Sequence, residues 1–179
     1  MKNRLPGDLS PRRRVARMIR VDHAGEYGAK RIYEGQLAVL GDSAGDGEIR
    51  RMADQEQRHL ETFEALVVDR GVRPTLLTPL WHVAGFALGA GSALMGEKAA
   101  MACTEAVEEV IDAHYAHQAD RLGADEAELR RVVEEFRGDE IEHRDTARAR
   151  GAAEAPAYRP LKAAVKAGSR LAIWLSERV

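Results

Sequence analysis

Glu26-Tyr-Gly-Ala-Lys-Arg-Ile-Tyr33-Glu-Gly-Gln36 and Glu108-Glu-Val-Ile-Asp-Ala-His-Tyr115-Ala-His-Gln118 are two copies of one pattern, E-x6-Y-x2-Q. Each copy leads to a Glu-x-x-His. Glu56 follows Glu26 by 30 residues and Glu140 follows Glu108 by 32, with His59 and His143 three residues further on. Glu and His at i and i+3 share one helix face, so both side chains can reach one metal ion. The spacing suits an antiparallel helix pair joined by a short turn. With 18 Glu and 6 His in the chain, one chance Glu-x-x-His is unsurprising. The information lies in the repetition of Tyr and Gln behind each leading Glu. It also selects Glu108 over its neighbours Glu105 and Glu109.

Two carboxylate helices and two Glu-x-x-His helices form the ligand set of a di-iron or di-manganese four-helix bundle. The expected fold is therefore all-α, a ferritin-like four-helix bundle with a di-iron core. The candidate ligands are Glu26, Glu56 and His59 for one metal and Glu108, Glu140 and His143 for the other. Which carboxylates bridge is open at this level. Four carboxylates offset the four positive charges of two divalent ions, which lowers the cost of burying the cluster. Mixed histidine and carboxylate donors favour iron or manganese over calcium.

Composition agrees with a helical protein. Of 179 residues, 45% are hydrophobic and 31% charged, with 5% aromatic. Ala, Glu, Arg and Leu dominate, which favours helices. A formal net charge of -2 gives no general attraction to nucleic acid. The single cysteine, Cys103, excludes an internal disulfide framework and fits a reducing compartment. Met1 to Ser10 lacks the apolar stretch of a secretory signal.

The length suits one domain over 1–179. A flexible arm is expected over 1–9, and Ser10-Pro11 reads as a helix start. The first helix pair spans 15–71, broken by the turn Gly41-Asp-Ser-Ala-Gly-Asp-Gly47. The second pair spans 98–150. Gly25, Gly28 and Gly35 cost helix propensity, so a neighbouring helix or a ligand should approach them closely.

Between the pairs lies an apolar crossover, 74–97, without any Asp, Glu, Lys or Arg between Arg73 and Glu97. Pro79, His82 and four glycines argue for a short helix in protein or at a membrane interface rather than a span. Gly85-x-x-x-Gly89 would permit close helix packing. An amphipathic C-terminal helix occupies 157–179, carrying Lys162, Lys166, Arg170 and Arg178. Packing on the bundle is its simplest role, and lying on a membrane is the other. Tyr33 and Tyr115 read as core tyrosines. His23 and His114 are candidates for hydrogen bonds near the site or for the surface, while His82 and His117 have no evident role.

The stretches RVDHAGEYGAKRIYEGQ, DQEQRHL, RPTLLTPLWHVAGFALGAGSALMGEKAAMACT, AVEE, DEIEHRD and APAYRPLKAAVKAGSRLAIWLSERV resemble the demethoxyubiquinone hydroxylases. The likeness covers nearly all of the chain after about Arg17, and each of the six ligands has its counterpart here. It implies two iron ions per chain, with dioxygen and an external reductant as co-reactants. It also implies a monooxygenase that hydroxylates a polyprenyl methoxy-methyl-benzoquinol in ubiquinone biosynthesis. One oxygen atom would enter the ring and the other leave as water. The implied setting is peripheral, on the cytoplasmic face of a bacterial inner membrane. Other ubiquinone-biosynthesis proteins and a second copy of the chain are expected partners. The competing readings are another di-metal bundle, storing iron or reducing peroxide or oxygen, and a non-catalytic membrane scaffold. The absence of a Cys pair for a rubredoxin iron weighs against a peroxide-consuming rubrerythrin relative, and the apolar crossover has no evident use in a soluble peroxidase.

Overall fold

The computed structural model describes residues 9–41 and 47–179. Of the expected N-terminal arm, 1–8 lie outside the described residues, as do 42–46 of the turn after the first helix. Six α-helices and no strand occur among the described residues: α1 Pro11–Leu40, α2 Glu48–Asp69, α3 Thr78–Leu94, α4 Glu97–Ala119, α5 Ala127–Ala149 and α6 Tyr158–Ser176. Ser10 caps α1 by accepting from the Arg13 amide at 3.2 Å, with Pro11 as the first helical residue. Gly41 closes it at a positive φ of 84°, where a side chain would be strained, its amide bonded to the Leu37 carbonyl. A single 3₁₀ turn at Ala124–Glu126 precedes α5.

Helices α1, α2, α4 and α5 form the bundle. Two apolar clusters fill its ends. One contains Tyr33, Leu37, Ile49, Met52, Met101 and Ala147. The other contains Ile19, Phe63, Tyr115, Leu129, Val133 and Phe136. On each helix the candidate ligands fall between the residues given to these two clusters. The site is thus closed above and below by close-packed hydrocarbon, which excludes water along the bundle axis.

The crossover helix α3 lies along α1, the most extensive helix contact in the molecule. Small residues make this possible. A Cβ on Gly85 would stand 2.8 Å from the Gly28 carbonyl oxygen and 2.9 Å from the Arg31 Cβ. One on Gly89 would collide with the Ile32 carbonyl, and one on Gly35 with the Phe86 carbonyl. The Gly85-x-x-x-Gly89 spacing thus seats α3 against α1. His82 finds a role here: its Nδ1 pairs with the Tyr27 hydroxyl at 2.7 Å.

Helix α6 is fixed by charge. Lys162 donates to Glu105 (2.8 Å) and Glu109 (2.7 Å), Lys166 donates to Glu109 (2.7 Å), and Tyr158 donates to Glu105 (2.8 Å). Arg148 of α5 joins both carboxylates at 2.8 and 2.6 Å. Two of the four cations expected to make this helix basic are therefore neutralised within the protein. Its C-terminal half behaves differently. Leu171 and Trp174 are about half exposed, at 55% and 50%.

Candidate metal centre

The six repeat residues converge. Glu26 from α1, Glu56 and His59 from α2, Glu108 from α4, and Glu140 and His143 from α5 are all buried. Two overlapping sets of donor atoms each fall within 4.8 Å: Glu26, Glu56, His59 and Glu140, and Glu56, Glu108, Glu140 and His143. Glu56 and Glu140 belong to both sets. They occupy the middle, with His59 and Glu26 to one side and His143 and Glu108 to the other.

The donor set fits a pair of cations. Glu56 and Glu140 have no hydrogen-bond partner for either oxygen among the described residues, and Glu26 Oε2, Glu108 Oε2, His59 Nδ1 and His143 Nδ1 are equally orphaned. His59 Nδ1 lies 3.2 Å from Glu140 and 3.5 Å from Glu26, and His143 Nδ1 lies 3.2 Å from Glu56 and 3.3 Å from Glu140. These approaches lack hydrogen-bond geometry. So many inward-facing buried polar atoms without partners would be costly in an ordinary core. Two dications would satisfy them together.

The electrostatics show the same strain. Burial, and then the charges of Glu140, Glu26 and Glu108, hold the Glu56 carboxyl well above its usual range. Burial and Glu140 do the same to Glu108. Burial opposes the charged form of His59, but the adjacent Glu140 and Glu26 carboxylates raise its pKa to about 11. Burial lowers that of His143.

The repeated tyrosines and glutamines cross between the halves. The Tyr33 hydroxyl donates to Glu108 Oε1 at 2.9 Å, and Tyr115 donates to Glu26. Both are core tyrosines, as the sequence indicates, and each also orients a candidate ligand of the opposite half. Burial and the surrounding carboxylates raise both phenol pKa values well above 10, which keeps them donors. Gln36 donates to the Ala100 carbonyl and to Thr104, and Gln118 donates to Asp22 Oδ1 at 2.6 Å. His114 Nε2 lies 3.3 Å from the same Asp22 oxygen.

Three supporting residues were not singled out from sequence. His59 Nε2 donates to Asp139 Oδ2 at 3.0 Å, and His143 Nε2 donates to Gln55 Oε1 at 3.1 Å. Asp22 is buried one turn before Glu26. The available signal was positional: Gln55 and Asp139 each precede the Glu of a Glu-x-x-His. His23, by contrast, is buried with Nδ1 unpaired among the described residues. Glu109, Asp112 and Glu142 face cations outside the cage: Glu109 meets Arg148 and the α6 lysines, Asp112 meets Arg137 and Arg144, and Glu142 meets Arg51.

Beside the cage is an apolar cavity of about 390 Å³ between α1, α3, α4 and α6. Its floor includes Gly25 and Val107, the residues immediately before Glu26 and Glu108. Leu80, Trp81 and Leu88 come from α3, and Gly168, Leu171 and Leu175 from α6. Trp81 Nε1 donates to Ser176 Oγ at 3.1 Å and ties the two walls together.

A model of the family described as ubiquinone biosynthesis protein COQ7 matches residues 13–176. The chain belongs to this family. It is 62% identical to the 3-demethoxyubiquinol 3-hydroxylase of Rhodospirillum rubrum over 179 residues, covering 99% of this chain and 84% of that protein. It is 52% identical to the human mitochondrial NADPH-dependent 3-demethoxyubiquinone 3-hydroxylase over 176 residues, 96% of this chain and 81% of the relative. It is 42% identical to the 5-demethoxyubiquinone hydroxylase of Saccharomyces cerevisiae over 181 residues, 91% and 77% of the two chains. The COQ7 membership and the carboxylate-histidine cage agree with the fold class read from the repeat. No described helix is long and apolar enough to cross a membrane.

Proposed function

We propose that this chain is a di-iron monooxygenase that hydroxylates demethoxyubiquinol in ubiquinone biosynthesis. The observation that carries the reading is the juxtaposition of two environments on the same helices. Glu26 and Glu108 turn into the cage, while Gly25 and Val107, one residue earlier, floor the apolar cavity. A polyprenyl benzoquinol is amphipathic in a matching way, and the tail would gain about 25 cal/mol per Å² of apolar surface buried.

Glu26, Glu56, His59 and Glu140 would hold one iron, and Glu56, Glu108, Glu140 and His143 the other, with Glu56 and Glu140 standing in both sets. When bound, the iron pair supplies the redox chemistry that activates dioxygen. The protein's own part is positional. Tyr33 and Tyr115 hold Glu108 and Glu26 by hydrogen bonds, Asp139 and Gln55 fix the imidazoles, and the apolar end clusters keep bulk water out. The cavity would present the quinol ring to the cage while its tail runs outward between α3 and α6.

The mouth of the cavity also supports the localisation. Leu80 and Leu171 line it and are half exposed, and Leu76, Val83 and Trp174 are exposed on the same two helices or just before them. These residues would rest on the cytoplasmic face of the bacterial inner membrane and take the quinol from the lipid without a span. The test is quinone profiling of a deletion strain. The demethoxy precursor should accumulate, wild-type protein should restore the final quinone, and Glu56→Ala should not. Normal quinone in the deletion strain would refute the assignment.

A further inference from the structure

The repeat relates the two halves of the cage, and the groups behind the ligands break that relation. The residue preceding each Glu-x-x-His supports the histidine of the opposite half. Asp139 accepts from His59 at 3.0 Å, but its counterpart Gln55 accepts from His143 at 3.1 Å. Each repeated glutamine reaches the residue four before the opposite leading Glu: Gln118 meets Asp22, but Gln36 meets Thr104. The half with Glu26 and His59 is thus backed by two carboxyl groups, and the half with Glu108 and His143 by a hydroxyl and an amide.

Charge further out increases the contrast. Arg51 Nη1 donates to Gln55 Oε1 at 2.6 Å, so a guanidinium, shared with Glu48 and Glu142, stands two hydrogen bonds behind His143. Arg58 comes only to 4.0 Å from Asp139, from an exposed position.

We infer that the two metal positions are unequal, the one at Glu26 and His59 holding a divalent cation more tightly than the one at Glu108 and His143. A carboxylate that accepts the far N–H of a ligating imidazole makes the ring a stronger donor, and such supports change metal affinity roughly 10–100-fold. A neutral amide does less, and one already engaged by a guanidinium does less again. Glu56 and Glu140 stand in both donor sets, so their contribution largely cancels from the comparison. The first equivalent of metal therefore fills the His59 position.

The inference rests on the cage being a metal site, and the experiment separates the two. Metal-free full-length protein is given Co(II) without oxygen, and binding is followed by calorimetry and by cobalt anomalous diffraction at one and at excess equivalents. The expected result is a peak beside His59 at one equivalent, a second beside His143 at excess, and dissociation constants at least about tenfold apart. Asp139→Asn should weaken the tighter event by roughly 10–100-fold, Asp139→Glu should largely preserve it, and Gln55→Asp should tighten the weaker one. Melting of the metal-free variants checks that each still folds. Equal peaks at one equivalent, a first peak beside His143, or a tight event unmoved by Asp139→Asn overturns the inequality and leaves the metal centre standing. No cobalt in the cage at excess sinks both.

Discussion

The cage and the cavity share α1 and α4, yet they are built by opposite means. The cage is made of side chains that reach inward, and its tyrosine, Gln55 and Asp139 supports come from the opposite half of the repeat. The cavity is made partly of side chains that are missing. Gly25, Gly28 and Gly168 line it, and a Cβ on any of them would meet nothing within 4 Å. Gly35, Gly85 and Gly89 are a different kind, because a Cβ there would strike backbone across the α1–α3 contact. Glycine thus serves two ends here: space left open beside the cage, and space removed between helices.

The shared carboxylates carry the greatest consequence. Glu56→Ala or Glu140→Ala should lose both irons, because each residue stands in both donor sets. The loss should exceed the roughly 10–100-fold that removal of a supporting residue costs. Elemental analysis alongside circular dichroism checks this, with helix content expected to persist. Next come the crossing tyrosines. Tyr33→Phe removes the donor to Glu108, a hydrogen bond to a charged group worth about 1.5–3 kcal/mol. Iron affinity should fall by roughly tenfold or more, a shift of about 1.4 kcal/mol per decade. Unchanged affinity in competition with a chelator would remove the positioning role.

The two kinds of glycine separate under substitution. Gly89→Ala forces backbone apart and should destabilise the fold by about 1–3 kcal/mol. Gly28→Ala should do the reverse, stabilising the helix by about 0.4–1 kcal/mol while raising KM for a long-tailed quinol. Thermal melts and steady-state kinetics on the same samples read both effects. A Gly28→Ala protein that is stabilised with KM unchanged would show that this part of the cavity is not used by substrate.

The smallest effect is on the charged side of the bundle. Burial opposes ionisation of Glu109, but Lys162, Lys166 and Arg148 hold its pKa down to about 2. A depressed carboxyl contributes stability that is fully present above its unfolded value, 4.5, and is lost as pH falls through the folded value. The α6 anchor should hold at pH 5 and weaken progressively toward pH 2. Tryptophan fluorescence from Trp174, compared between wild type and Glu109→Gln, follows the release. A variant with an acid transition identical to wild type would show that this seam does not anchor α6.

The legibility of the two regions differs for a physical reason. The all-helical fold and the cage could be read because metal ligation demands particular residue types at helical spacing, and here that demand is met twice. The sharing of Glu56 and Glu140 could not, since it depends on how the helix pairs dock. The crossover was legible as an apolar segment, but which of its faces lines a cavity was not. Of its residues, Leu80, Trp81 and Leu88 line the space, whereas Leu76, Val83 and Leu94 are exposed and Phe86 sits under Arg31, 4.9 Å from its guanidinium. Side chains identical in hydropathy took different faces once Gly85 and Gly89 set the rotation of α3. The partners of Lys162 and Lys166 could not be read locally, because Glu105 and Glu109 lie more than fifty residues away.

The most direct measurement is iron anomalous diffraction from anaerobically iron-loaded crystals soaked with a short-tailed demethoxyubiquinol analogue. Two iron peaks are expected inside the cage, one beside His59 and one beside His143, both touched by Glu56 and Glu140. The quinol ring is expected against Gly25 and Gly28 with its tail toward Leu80 and Leu171. Irons outside the cage, or a quinol bound away from the cavity between α1, α3, α4 and α6, would contradict the account.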